Sequence, residues 1–295
     1  MQESASNTPE KEVKVIISHR KAVLRRLYKN PHVVVGATIM LIFILMAILA
    51  PILAPYDPFE QVPARRLLPP GSEHFMGTDN LGRDILSRLI FGARVTLLLS
   101  FSATFVGGAL GTLLGLVSGY YGGPFDSIIM RVIDVFLAFP GILLALFLVT
   151  MLGTSAMNIL IAIAFFAVPT FARITRGSVM SAKKLEFIDA SRAVGATDSR
   201  IMFVHILPNI MTPLIVQATL LIATNILVIA ALSFIGVGVQ PPTPEWGSMI
   251  EGGREFVGRA DHIMFFPGLF ILCVVVGINI LGDGLRDALG PKQTK

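Results

Sequence analysis

Charge is scarce in this sequence. Asp, Glu, Lys and Arg make up 15% of the 295 residues and the apolar types 54%, whereas a soluble domain carries about 25% charged and 45–50% apolar residues. So few charges cannot cover a water-facing surface, which excludes a soluble globular protein, and the mean hydropathy of +0.74 agrees. Cysteine occurs once, as Cys273 in an apolar run; this excludes an intrachain disulfide, and the residue is expected to fill space. There is no GxxxxGK[ST] phosphate loop, so the chain has no recognisable nucleotide site of its own. There is no HExxH or GxSxG either, and the five histidines (19, 32, 74, 205, 262) are scattered. A membrane protease finds no support, and neither a metal ligand nor a catalytic residue is expected.

What the chain does have is long charge-free runs. A membrane-spanning helix needs about 20 apolar residues. Lys29 is the only charge between Arg26 and Asp57, and none lies between Arg94 and Asp126, which places spans over 33–55 and 95–118. The first run is too long for a signal-peptide core and reads as an uncleaved span. Between Asp134 and Arg173 lie 38 uncharged residues, too many for one crossing. The sequence LGTSAMN (152–158) suits a tight turn there, so spans three and four form a hairpin. Spans five and six cover 210–237 and 263–281. The expectation is an all-α integral membrane protein of six transmembrane helices. It divides into a tail (1–32), a first helix with its loop (33–94) and a five-helix core (95–295).

Orientation follows from the basic residues. With both termini cytoplasmic, 17 of the 24 lysines and arginines fall inside and 7 outside. Tyr28, Tyr56, Tyr120 and Tyr121 fall at expected water–lipid boundaries, with Trp246 in an outside loop. The net charge of +5 is thus topological and calls for no nucleic acid. The inside segment 183–208 has a helix-turn-helix pattern, but tethered between spans it could not easily follow a major groove, and Asp189 and Asp198 would repel phosphates.

That segment reads instead as a projecting element. Residues 183–194 can form a helix with Phe187, Ile188 and Val194 as apolar contacts. Gly195 suits a left-handed helix end, and Thr197 or Asp198 can cap the next helix, which carries Ile201, Met202 and Phe203. Such a helix can lie on lipid or dock in a partner's groove, and its acids favour docking. The segment resembles the cytoplasmic signature of ABC importer permeases: Asp189-Ala190-Ser191 for the acid-Ala-Ala element, Gly195 for its glycine, and Leu207-Pro208 at the end. Asp189 in place of Glu, Ser191 in place of Ala, and His205 are similar to the dipeptide/oligopeptide/nickel branch. GTDNLGRDILSRLIFGAR (77–94), GYYGGPFDSIIMRVIDVFLAFP (119–140), QPPTPEWGSMI (240–250) and GDGLRDALGPK (282–292) resemble that branch too.

The resemblance implies a type I importer permease core in the prokaryotic inner membrane. Its cytoplasmic coupling helix would involve Glu186, Asp189, Ala190, Ser191, Gly195, Ala196, Leu207 and Pro208. It further implies two ATPase subunits that hold the ATP and Mg, this chain binding no cofactor. A second homologous permease and an extracytoplasmic substrate-binding protein would complete the assembly. Peptides are the expected cargo, with nickel, glutathione or another small solute as alternatives. A secondary transporter or channel, the alternative of another class, would usually show ionisable residues near the midplane or broken-helix repeats.

Other residues carry expectations of their own. Gly107, Gly111, Gly115 and Gly119 form a ladder that lets helices approach closely. Asp126 lies near Arg131 and Asp134, which are three apart and can form a structural ion pair. Gln217 and Thr224 share a face of span five, with Asn225 beside them; they are candidates for lining the pathway, and helix–helix hydrogen bonding is the other reading. Arg83, Asp84, Arg88, Glu245, Trp246, Glu251 and Arg254 lie in outside loops. The resemblance implies docking of the binding protein there, against a merely solvated loop.

Overall fold

The computed structural model describes residues 25–290. Most of the expected tail, together with Pro291, Lys292 and the end of the chain, lies outside the described residues. Helix α1 (Pro31–Ile48) opens with Asn30, whose side chain accepts from the His32 and Val33 amides at 2.9 and 3.4 Å, a capping arrangement followed by proline at the first helical position. Helix α2 (Ile85–Tyr121) is capped by Asp84, which accepts from the Ser87 amide at 2.8 Å, and it ends at Gly122, φ 69°. Its 37 residues give a length of about 55 Å, well beyond the hydrocarbon core of about 30 Å. Helices α3 (Gly123–Leu137) and α4 (Gly141–Leu152) meet at 89°. After a turn at Gly153, φ 95°, Ser155 caps α5 (Ala156–Ala182). The exposed segment α6 (Glu186–Ala193) precedes α7 (Met211–Phe234), short α8 (Trp246–Gly253) and α9 (His262–Leu289).

Five of these helices are long and apolar enough to cross a membrane, and the bent pair α3–α4 makes a sixth passage. Helix packing requires that passage. A Cβ added at Gly107, Gly111 or Gly115 would run into the carbonyl oxygens of Ala164, Val168 and Ala172, and at Gly119 it would lie 2.9 Å from that of Arg176. The contacts advance in the same direction along both helices, so α2 and α5 are parallel and backbone-close, as the ladder of small residues predicts. Two parallel neighbours need the chain to return across the membrane between them, and α3–α4 is the stretch that does so. The expected hairpin turn at 152–158 holds. The third span, however, is a broken one, since α4 alone has 12 residues and reaches about 18 Å.

Apolar side chains fill the interior, and many others face outward, Leu98, Phe105 and Leu272 among them, as lipid contact requires. Cys273 is exposed and does not fill the core as expected. Two aromatics expected at boundaries or in loops are buried instead. Trp246 is 0% exposed, with its indole Nε1 donating to the Leu89 carbonyl at 3.0 Å and its ring edge-on to Phe43 and Phe270. Tyr120 is 4% exposed.

The expected Arg131–Asp134 pair does not form. Asp134 bonds Arg173 on α5 at 2.5 Å, and Asp126 takes a bidentate pair from Arg176 at 2.5 Å and a bond from the Ser118 hydroxyl. Spacing three apart brings Arg131 and Asp134 near each other, but the turn of α3 points both of its acids at the arginines of α5.

Candidate functional site

Helix α5 stops at Ala182, with Lys183 as its cap, so the next helix starts at Glu186 rather than at 183. Glu186 and Asp189 stand in its first turn and Arg192 in its last, the charge order that a helix dipole favours. Its end is a Schellman motif: the Ala196 amide donates to Ser191 O at 3.0 Å and the Gly195 amide to Arg192 O at 2.9 Å, with Gly195 at φ 82°. Glycine adopts this left-handed conformation at least cost. Thr197 then caps Asp198–Arg200. The chain continues as a π-helical stretch, Ile201–Ile206, then Leu207–Asn209, where an ordinary α-helix was expected. π-bulges occur frequently at functional sites.

This protrusion is anchored on one side and open on the other. Ile188, Ile201, Met202 and Ile206 are buried together with Leu116, Tyr120, Val179 and Ala182. The Tyr120 hydroxyl donates to Asp198 Oδ1 at 2.6 Å, Lys183 Nζ donates to the Tyr120 carbonyl, and Arg192 lies 5.6 Å from the ring centre. Of the three expected apolar contacts only Ile188 is buried; Phe187 and Val194 are 40% and 85% exposed. Glu186, Asp189, Ala190, Gly195 and Pro208 also face outward. Ser191 is half-buried, its hydroxyl donating to Phe187 O at 2.7 Å, while Ala196 and Leu207 pack on the anchoring cluster. Tyr120, the central anchor, was not among the sequence-derived site residues. The signal was the Tyr120-Tyr121 pair: successive helix positions point about 100° apart, so both could not face the same interface.

The span-five residues separate. Thr224 is exposed and donates to its own Leu220 carbonyl at 3.0 Å, and Gln217 is half-buried. Asn225 turns inward, 0% exposed, and its amide donates to Thr104 Oγ1 on α2 at 2.9 Å. It thus takes the helix–helix bond that was the other reading of these residues.

At the opposite end of the bundle the loop charges are not solvated. Asp79, Arg83, Asp84 and Arg88 are all under a tenth exposed. Asp79 Oδ2 meets Arg83 Nε at 2.6 Å and Arg88 Nε at 3.6 Å, and Arg88 Nη1 donates to Pro58 O at 3.0 Å. Asp84 lies 2.8 Å from His74 Nδ1. Glu245 is 0% exposed and caps α8 by accepting from the Gly247 and Ser248 amides, both at 2.9 Å; burial nonetheless pushes its carboxyl above the usual glutamate range. Glu251 and Arg254 are exposed.

Known proteins share this sequence and architecture. The binding-protein-dependent transport system inner membrane component family matches residues 111–295, and the N-terminal transmembrane domain of oligopeptide transport permease C matches 18–70. The chain is 48% identical to a dipeptide transport system permease protein of Alkalihalophilus pseudofirmus, across 99% of this chain and 95% of that one. It is 44% identical to a glutathione transport system permease protein of Pectobacterium atrosepticum, across 90% and 89%. Among solved structures, the inward-facing MetNI methionine ABC transporter aligns with a TM-score of 0.57 at 21% identity, over 69% of this chain and 97% of that one, which is a likeness of fold. The chain belongs to the binding-protein-dependent transport system inner membrane components and is a permease subunit of a bacterial ABC importer.

Proposed function

We propose that this chain forms half of the translocation pathway of an ATP-driven peptide importer, and that α6 with its Gly195 turn is the handle by which separate ATPase subunits move it. One observation carries the reading: an element anchored by Ile188 and Tyr120 presents an apolar and acidic outer face, with Phe187 40% and Val194 85% exposed. Helix-in-groove docking uses such a face. The anchor matters as much as the face, because a handle transmits motion only if it is stiffly joined to what it moves. Two ATPase subunits holding ATP and Mg, a second homologous permease and an extracytoplasmic binding protein complete the machine. Alternating access follows as their closure reorients the membrane helices, provided that the docked helix interacts differently in the two states.

Small peptides are the favoured cargo, since the relatives are named for dipeptides and glutathione. The exposed flank of α7 carrying Gln217 and Thr224 borders the path. Nickel or another small solute would appear as the ligand of the binding protein instead.

The test is purification of the tagged chain from its native host in mild detergent, with mass spectrometry of what accompanies it. Two ATPase chains and a second six-helix permease are expected, with the ATPases lost from a Gly195→Arg variant. Because a side chain at Gly195 meets open space, that change acts on the turn and not on the core. A chain that purifies alone and transports in vesicles without ATP overturns the reading in favour of a secondary carrier.

A further inference from the structure

One charge on the apolar flank of α2 stands without a partner. Arg94 is exposed and lies in line with Leu98, Phe101 and Phe105, all exposed too. Among the described residues its guanidinium makes no ion pair, and it sits 6.0 Å from the centre of the Phe91 ring. Its depth is set by α2 itself. Tyr121, exposed at the far end of the same unbroken helix, marks one water–lipid boundary. The 27 residues of helix between them carry Arg94 about 40 Å away. A bilayer measured across its headgroup layers is about 40–45 Å thick, so Arg94 stands at the level of the phosphates at the end of the bundle away from α6.

Below that level α1 and α2 splay. Nearer α6, α1 is clamped to α9 by backbone contact: a Cβ at Gly36 would lie 2.5 Å from the Leu281 amide nitrogen, and one at Gly284 2.6 Å from that of Val33. Toward the other end α1 and α2 leave a groove of about 490 Å³, which Arg94 lines together with apolar side chains. Buried Ala47 and Leu97 form its floor, and exposed Ile44, Ile48 and Leu98 its walls. A charged side chain in a membrane needs a partner or must reach the interface, and a guanidinium fork matches a phosphate.

We propose that this groove holds one phospholipid, with an acyl chain along Ala47 and Leu97 and its phosphate on the Arg94 guanidinium. An acidic side chain of a neighbouring subunit would neutralise Arg94 and leave the apolar groove unfilled; a phospholipid answers both. The lipid supplies the wall that α1 and α2 lack where they part. The site requires only insertion in a bilayer and holds whichever way the chain faces.

The test uses the complex as it purifies from its host, transferred to nanodiscs of a phosphate-free galactosyl diacylglycerol. A small fraction of phosphatidylglycerol carries a photoreactive diazirine in one acyl chain. After illumination, mass spectrometry compares labelling at the groove with labelling around Leu272, an exposed position on α9 with no lysine or arginine in its part of the helix. The groove should be labelled about tenfold more, the worth of one hydrogen bond to a charged group. Arg94→Gln should bring it down to the Leu272 level. Leu98→Trp fills the groove from its exposed wall with the arginine in place, and it should lose the excess as well. Inorganic phosphate should not compete, because the groove holds the chain as well as the charge. Equal labelling of the two places in the wild type, an excess that survives Arg94→Gln, or displacement by inorganic phosphate overturns the proposal. So does labelling of the groove below the Leu272 level, which would mean that a neighbouring subunit covers it.

Discussion

A Cβ at Gly115 would press on the carbonyl oxygen of Ala172 and come within 2.7 Å of the Thr175 Cβ, so Gly115→Ala must push α2 away from α5. Overpacking of this kind costs about 1–3 kcal/mol, and the variant should melt lower and yield less folded protein by size-exclusion fluorescence. Gly177→Ala is the matched control. Its Cβ meets open space and removes a helix glycine, which is worth roughly 0.5–1 kcal/mol in the other direction. Equal melting of the two variants would show that the ladder does not set the spacing. The glycines were legible in sequence because a four-residue repeat has one physical use on a membrane helix. Glu245 was not: a glutamate between spans reads as solvated, and only the fold reveals that it is sealed beside Trp246. Its folded pKa is raised, so its contribution to stability is whole below the unfolded value, near 4.5, and is lost as pH rises through the folded one. Glu245→Gln keeps one of the two oxygens that accept from the α8 amides and removes the charge. Its melting temperature relative to the wild type should therefore be lowest at about pH 4, below the unfolded value, and rise as the pH is taken to about 8, as read by thermal denaturation in detergent. A relative melting temperature that rises toward acid pH would reverse the assignment.

The two Asp–Arg pairs that tie α3 to α5 differ in worth. The Arg173 and Asp134 side chains are 58% and 60% exposed, and exposed pairs contribute about 0–1 kcal/mol. Asp126 is 16% exposed, takes two bonds from Arg176 and a third from Ser118. Asp126→Asn should thus lower the melting temperature clearly, and Asp134→Asn should leave folded yield near wild type; the reverse order would mean that the clamp lies elsewhere. Sequence spacing suggested the pair Arg131–Asp134, because it reports what a straight helix brings together and is blind to where that helix is aimed. The same limit hid the 89° break between α3 and α4, since a charge-free run has the same hydropathy straight or bent. At 183–208 the local signals were strong. The left-handed glycine was read correctly and the cap was narrowed to Thr197 or Asp198, of which Thr197 takes the role, because such roles are fixed by the local backbone. The faces of α6 were not read, because an eight-residue helix with two large apolar side chains, Phe187 and Ile188, and Val194 at its cap does not say which of them finds a partner.

For the whole molecule, orientation is set by parity of crossings and by where the basic residues lie. Between Glu73 and Val194 the chain passes through α2, the bent pair and α5. Because α2 and α5 are parallel, the bent pair must carry the chain back, making three crossings and placing the two residues on opposite sides. From the excess of 17 basic residues over 7 we propose that Val194 lies inside, where separate ATPase subunits could reach α6. Single cysteines test both statements in a Cys273→Ala background: Glu73→Cys and Val194→Cys, each at an exposed position, probed with a membrane-impermeant maleimide. In intact cells Glu73→Cys should label and Val194→Cys should not, until the membrane is permeabilised. Labelling of both from outside would mean an even number of crossings, which makes α3–α4 a re-entrant element and contradicts the parallel packing of α2 on α5. Labelling of Val194→Cys alone would invert the protein. The α6 handle would then face away from ATP, so one reversed result would remove the proposed function while leaving the fold intact.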